Sequence, residues 1–285
     1  MDTATRRADI EGRYLSARPV SVAWRSETGP RDENQDHALC RLQADGSWLI
    51  AVADGLGGHP RARAAARGAI RALPMRIAGT DGMHAAFRAA HKTVARLAPR
   101  HSRFAMRDIR SCPASKLSVV AWTPQDGLAV GIAGDCRVVV LWRDDMGWHG
   151  RPVGSAHRSA GDYGNVTRFL GAPRVWPRSA NDRSDPMDVF CDEDIDTPEN
   201  LTAFAAVVVS DGAWEALIRP ALEVAAPASG VIADAVASLM HSGTTGAYEI
   251  AERIMWAARG FGLDDNATVA VAAVIPTTPS DADAA

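Results

Sequence analysis

Short apolar runs separated by polar, glycine-containing turns dominate the chain, and helical periodicity is confined to a few blocks. Runs of this length that are rich in valine, isoleucine and aromatic residues predict strands. The run at 204–209 is apolar throughout, which is typical of a strand buried on both faces. The predicted strands cover residues 20–24, 37–42, 48–53, 117–122, 128–133, 137–142, 204–209 and 268–275, with a further candidate at 187–191.

Helices are predicted where alanine-rich or apolar residues recur at helical spacing. Residues 61–78 and 81–97 have this pattern, with Asp81 as the expected N-cap of the second block. Further helices are predicted at 214–217, 231–241 and 248–259, while 98–113, 150–164 and most of 173–200 have no clear period. Strands and helices are therefore clustered. This favours an α+β layered fold with antiparallel sheets over a doubly wound parallel sheet.

Composition limits the class of protein. The chain has 285 residues and a net charge of -3, so binding to nucleic acid through bulk positive charge is not expected. Its four cysteines have no CxxC spacing, its start lacks an apolar signal segment, and no run is long enough to cross a membrane. We expect a cytoplasmic enzyme with a flexible lead-in at 1–17, one domain at 18–276 and a disordered tail at 277–285.

Aspartates follow or precede several predicted strands. Asp54 and Asp211 each end an apolar run and precede glycine, and Asp135 lies in nearly the same context. Asp36 and Asp265 each come just before a strand. One Asp-Gly pair by itself is most often a turn. Several carboxylates gathered at strand ends would repel one another, and bound magnesium or manganese, which prefer oxygen ligands, would resolve that repulsion.

Other hydrolytic chemistries lack their motifs. No cysteine lies in an HCxxxxxR loop, and the chain has no GxSxG elbow, no GxxxxGK[ST] phosphate loop and no HExxH helix. Most of the eight histidines are expected to lie at the surface.

The order of six short motifs carries a family resemblance. RDENQD begins at residue 31 and VADGLGGH at 52; GDCR, TRFLG, SDGAWE and DDNATV follow at 134, 167, 210 and 264. In this order and spacing they resemble the metal-dependent (type 2C) serine/threonine protein phosphatases, over about residues 20–275. The GGH ending of the second motif is similar to the bacterial branch. The resemblance implies an αββα sandwich of two antiparallel sheets, with a metal centre between the sheets at one end.

The resemblance also assigns metal ligands. Asp54 would bridge two Mn²⁺ or Mg²⁺ ions, and the carbonyl of Gly55 would bind one of them. Asp211 and Asp265 would complete the two-metal site. Asp36 matches a first-motif aspartate that acts mainly through metal-bound water.

Further roles follow from the same resemblance. Asp135 would bind a third, weaker metal shared with Asp211, where Glu215 is a candidate additional ligand. Arg31 would grip the substrate phosphate, and Asn266 would orient the last ligand.

The implied reaction is hydrolysis of phosphoserine or phosphothreonine in a protein substrate by a water molecule activated between the two metals. The implied setting is signalling opposite a serine/threonine kinase.

Four features depart from the family pattern. Leu56 replaces a histidine that some members carry as a candidate general acid, and His59 is expected to be structural. Cys136 replaces a serine. Lys116 is unusual beside a core strand and could point into the site or into solvent, and the flap at 154–165 is short. The last two features motivate an alternative, a pseudophosphatase or regulatory module that binds phosphoproteins without turnover.

Overall fold

The computed structural model describes residues 20–98, 111–158, 166–171, 187–191, 202–222, 231–241, 243–244 and 246–274. The predicted lead-in at 1–17 and tail at 277–285 lie outside these residues. Strands within them are β1 (Val20–Glu27), β2 (Asp36–Leu42), β3 (Trp48–Gly55), β4 (Ser115–Thr123), β5 (Gly127–Ala133), β6 (Arg137–Asp144), β7 (Gly147–Val153), β8 (Asp188–Cys191), β9 (Ala203–Val209) and β10 (Ala267–Val274). Helices are α1 (Ala62–Arg71), α2 (Gly79–Ala95), α3 (Asp211–Leu222), α4 (Val231–Ser238) and α5 (Ala247–Phe261).

The strands form two five-stranded antiparallel sheets. One has the order β1-β10-β9-β6-β7 and the other β2-β3-β4-β5-β8. Helices α3 to α5 pack on the outer face of the first sheet, and α1 and α2 pack on the outer face of the second. The two inner faces share a third apolar cluster. The predicted αββα sandwich is therefore confirmed.

Alternation along a strand divides its side chains between the layers. In β9, Phe204, Ala206 and Val208 point into the cluster between the sheets, whereas Ala205 and Val207 pack under the helices. Both faces are buried, which explains why the sequence of this strand is apolar without a visible period.

The predicted helix at 61–78 is wrong beyond its first half. Helix α1 begins after Arg61, whose φ is 58°, and ends at Arg71. Pro74 has no backbone N–H and disfavours helical geometry at the residue before it, so the helical alanine pattern cannot continue. Asp81 was also misplaced as a cap, because α2 has Ala78 at its N-cap and Asp81 within its first turn.

Strand β7 was missed by the sequence pattern. It pairs with β6 from Asp144↔Gly147 to Val138↔Val153 and forms a hairpin at the edge of its sheet. Most of its residues are only partly buried, and it contains glycine and proline, so neither apolar alternation nor β-propensity reveals it. Among the described residues, no helix is both long and apolar enough to cross a membrane.

Candidate metal centre

The end of the hairpin β2–β3 delivers two carboxylates. Asp54 lies on β3 at the same alternation as Ile50 and Val52, which face the space between the sheets. Asp36 begins β2 and pairs directly with Asp54 across the two strands. Gly55 follows, and a Cβ on it would lie 2.5 Å from the carbonyl oxygen of Ala62, so glycine is required where α1 comes close.

Two more strand ends meet this hairpin. Asp135 lies in the turn between β5 and β6, and Asp211 is the first residue of α3, just after β9. One oxygen from each of Asp54, Asp135 and Asp211 lies within 4.8 Å of the other two. Three aspartates that the sequence singled out are thus brought together at one end of the sandwich, from both sheets.

The ammonium group of Lys116 lies among these three carboxylates. Its Nζ is 2.7 Å from Asp54 Oδ2, 3.0 Å from Asp135 Oδ1 and 2.5 Å from Asp211 Oδ2. The residue is 6 % exposed. Lys116 pairs with Asp54 across β3 and β4 and shares the inward alternation of Val120, so the side chain points into the site.

Arg158 adds a second cation beside the first. Its guanidinium contacts Asp135 Oδ2 at 2.7 Å and Glu215 Oε1 at 2.5 Å, and lies 3.8 Å from Asp211 Oδ2. Its Cζ lies 5.1 Å from the ring centroid of Trp214. Sequence reasoning missed Arg158, because it follows β7 in a stretch without period.

The turn that carries Asp135 is fixed from several sides. Trp214 Nε1 donates a hydrogen bond to the carbonyl of Asp135 at 3.0 Å, and the Gly134 N–H donates to His157 Nδ1 at 3.1 Å. The other ring nitrogen of His157 lies 2.8 Å from Asp188 Oδ2. With Nδ1 as acceptor, Nε2 carries the proton and His157 is neutral. Burial lowers the pKa of His157 and outweighs the opposing effect of Asp188.

Asp265 lies at the rim of the centre. Its Oδ2 accepts from Arg31 Nη2 at 2.8 Å, and Arg31 Nε also donates to the carbonyl of Asp264. The Arg31 side chain is 54 % exposed. Among the described residues, Asp265 is not part of the group of three carboxylates around Lys116. A Cβ on Gly212 would lie 2.2 Å from the carbonyl oxygen of Asn266, so this glycine lets the segment pack against α3.

Asn266 ties the loop before β2 to the start of β10. Its amide donates to the carbonyls of Thr28 and Glu33 at 2.7 and 3.0 Å, and its oxygen accepts from the N–H of Gln35 at 2.8 Å. Arg31 lies within this loop. The side chain of Asn266 therefore contacts the loop, while its backbone N–H donates to Asp265 Oδ1.

Burial and charge shift the ionisation of the centre. Burial raises the pKa of Asp36 to about 7, although hydrogen bonds with Ser210 and Thr268 oppose the shift. Its Oδ2 is buried and has no hydrogen-bond partner among the described residues. Burial also raises the pKa of Asp54 well above its usual range. For Asp211 burial acts in the same direction, but Lys116, together with Asp54 and Arg158, outweighs it and the pKa is lowered. Burial lowers the pKa of Lys116, but the three carboxylates outweigh it and the net pKa is raised.

Some of the oxygen atoms in the centre suit a hard divalent ion, while others are already paired with protein cations. Carboxylate oxygens from Asp36, Asp54 and Asp211 are the ligands that magnesium and manganese prefer. The unpaired, buried Oδ2 of Asp36 is an acceptor that a cation would satisfy. Lys116 and Arg158, however, already contact the remaining acidic oxygens.

The positions that depart from the family pattern lie around the centre. Leu56 is buried with Ala114 and Phe169, and His59 Nδ1 lies 2.9 Å from the carbonyl of Cys112. These described contacts involve none of the acidic residues. Cys136 is buried next to Asp135, and burial raises the pKa of its thiol well above the usual range.

Known proteins share this architecture. The phosphatase MsPP from Mycobacterium smegmatis, solved with cacodylate, is 23% identical, with a TM-score of 0.60 over 90% of this chain and 98% of that one. The Mycobacterium tuberculosis phosphatase PstP/Ppp is 18% identical, with a TM-score of 0.61 over 90% and 99%. A PstP catalytic domain solved with 2 manganese ions is 19% identical, with a TM-score of 0.59 over 90% and 99%.

At these identities the solved structures establish the fold. No curated protein matches the chain by sequence. A family model, described as protein phosphatase 2C, matches residues 29–243, which include Arg31, Asp54, Asp135 and Asp211. The chain therefore belongs to the protein phosphatase 2C family, a family of enzymes that remove phosphate from proteins.

Proposed function

We propose that this protein is a metal-dependent serine/threonine phosphatase. The observation that carries the proposal is the meeting of Asp54, Asp135 and Asp211 within 4.8 Å at the strand ends, beside the unpaired buried oxygen of Asp36. The candidate ligands are Asp36, Asp54, the carbonyl of Gly55, Asp211 and Asp265, with Asp135 at a third position. Manganese or magnesium, when bound, would activate water and neutralise the phosphoryl oxygens.

Arg31 is the candidate phosphate-binding group. Its planar guanidinium can bind two phosphoryl oxygens at once, and its exposed side chain reaches solvent at the rim of the centre. To bind substrate, Arg31 would exchange its ion pair with Asp265 for the phosphate. Leu56 cannot protonate a leaving group, so the proton for the serine or threonine alkoxide would come from solvent.

The biological setting rests on the family alone. We infer a phosphorylated protein substrate and a role opposite a serine/threonine kinase in the cytoplasm.

Phosphate release from a phosphothreonine peptide in manganese tests the proposal. Wild type should release phosphate only with added metal, and Asp211→Asn should lower the rate by about 100-fold or more, because it removes a charged ligand while keeping its size. Asp234→Asn, an exposed substitution on α4, is the matched control and should retain wild-type activity. Equal rates in wild type and Asp211→Asn would overturn the assignment of Asp211 as a metal ligand.

Retained binding of the phosphopeptide without turnover in the wild type would instead favour a phosphoprotein-binding module. The position of Lys116 in the acidic cluster is the observation that supports this phosphoprotein-binding alternative.

A further inference from the structure

Lys116 is built into the acidic centre by the fold. It lies opposite Asp54 on the neighbouring strand, and the alternation of β4 directs it between the sheets. A Cβ on Gly134 would lie 2.6 Å from Lys116 Cβ and 2.8 Å from its Cγ. The missing side chain at Gly134 therefore leaves the space through which the lysine reaches the carboxylates.

The ammonium group lies at the centre of the three carboxylates, where a bound metal ion would lie. It contacts one oxygen from each of Asp54, Asp135 and Asp211, at 2.5 to 3.0 Å. Asp54, Asp135 and Asp211 are also the three residues whose carboxylates converge closely enough to hold a metal ion. A divalent ion bound by all three would have to displace the ammonium, because both cations need the same oxygens and the same space.

Arg158 pairs with a second set of acidic residues beside Lys116. It contacts Asp135 and Glu215 closely and approaches Asp211. The family resemblance implies that these three acidic residues bind a third metal. The Trp214 ring, whose centroid is 5.1 Å from the Arg158 Cζ, and burial hold the guanidinium in place, with the side chain 14 % exposed.

Within the described part of the chain, no cationic side chain is paired with Asp36. Asp36 is 5 % exposed, and its Oδ2 has no hydrogen-bond partner. It lies opposite Asp54, whose Oδ2 contacts Lys116. The carbonyl of Gly55 follows on the same strand.

We propose that Lys116 and Arg158 are internal cations that occupy two of the three metal positions, so that the centre binds a single divalent ion through Asp36, Asp54 and the carbonyl of Gly55. This inference rests on the metal centre of the proposed function and narrows its ligand set, because Asp135 and Asp211 would pair with Lys116 and Arg158 and not with a metal. Its test needs no substrate. A substrate phosphate entering this centre would meet one exchangeable ion and two fixed protein charges.

The number of bound manganese ions tests the inference directly. Calorimetry, with electron paramagnetic resonance to count free Mn²⁺, measures it without any substrate. Wild type should bind one ion. Lys116→Thr removes the ammonium, leaves space and suits a strand, so it should bind one ion more. Arg158→Ala should also gain one ion. Lys92→Thr makes the same change at the chain's other lysine, exposed near the end of α2, and should bind one ion like wild type.

Three results would overturn the proposal. Two or more ions of similar affinity in wild type would mean that the internal cations yield to metal. No bound ion in wild type would refute the site at Asp36 and Asp54. A Lys116→Thr protein that keeps the first ion and gains none would show that the ammonium does not exclude a metal.

The wild-type count and Arg158→Ala decide the question if Lys116→Thr does not fold. Failure of the proposed function gives a different pattern. One bound ion with no phosphate release would defeat the phosphatase assignment and leave the internal cations standing. Two bound ions with metal-dependent phosphate release would refute the internal cations and support the phosphatase assignment.

Discussion

Lys116→Met tests what stabilises the acidic centre when divalent ions are withheld. Methionine keeps the length of the side chain but removes the ion pairs to Asp54, Asp135 and Asp211, at 2.7, 3.0 and 2.5 Å. The site is largely buried, so water compensates the carboxylates less well than the ammonium group does. Removing one partner from a buried ion pair costs about 3–5 kcal/mol, because the remaining charges lose their compensation.

The assay is thermal unfolding followed by circular dichroism in excess chelator. For a domain of this size, each kcal/mol shifts the melting temperature by about 2–4 °C, so Lys116→Met should melt about 6–20 °C below wild type. Lys92→Met, at the exposed end of α2, should melt within about 1 °C of wild type because surface substitutions have small effects.

A melting temperature for Lys116→Met equal to or above that of wild type would refute the reasoning, since the lysine would then not be neutralising buried carboxylates. Adding Asp211→Asn to Lys116→Met removes one of the uncompensated charges. The double variant should recover part of the loss, with a coupling of about 0.5–3 kcal/mol.

Three further predictions concern the surroundings of the centre. Amine acetylation of the native protein, mapped by mass spectrometry, should modify exposed Lys92 and spare Lys116; rapid modification of Lys116 would contradict its burial. Gly134→Ala should destabilise by about 2–5 kcal/mol in urea unfolding, because a Cβ there meets Lys116 at 2.6 Å and φ is +114°. Burial lowers the pKa of His157, so the fold favours its neutral form and the stability this gives is lost as pH falls below about 6.5. Between pH 8 and 5.5 the urea midpoint of His157→Gln should therefore fall less than that of wild type. An equal fall in both proteins would show that His157 does not contribute.

The strands of the sandwich were predictable because their apolar runs are short and bounded by polar turns. The strand-end aspartates were predictable for the same reason, since Asp54 ends one such run and Asp211 follows another after Ser210. The fold then brings these ends together through pairings between distant strands, which no local pattern specifies. The edge strand β7 was missed because its pairing with β6, and not its own sequence, makes it a strand.

The direction of Lys116 was present in the sequence but masked. Leu117 and Val119 pack under α1 and α2, so the alternate positions, including Lys116 and Val120, must face the other sheet. The strand is buried on both faces, so hydrophobicity alone does not show which alternate positions face the helices and which face the other sheet. Arg158 gave no signal at all, because its approach to Asp135 depends on the tertiary course of the chain after β7.

The amide of Asn266 restrains the loop that carries Arg31. It contacts the loop around Arg31 through three hydrogen bonds, to Thr28, Glu33 and Gln35. Displacing that loop would break all three, whereas turning the exposed Arg31 side chain away from Asp265 breaks only the contacts of its guanidinium. If Arg31 binds the substrate phosphate as proposed, capture would be a change of side-chain rotamer on a stationary backbone, on the timescale of side-chain rotation.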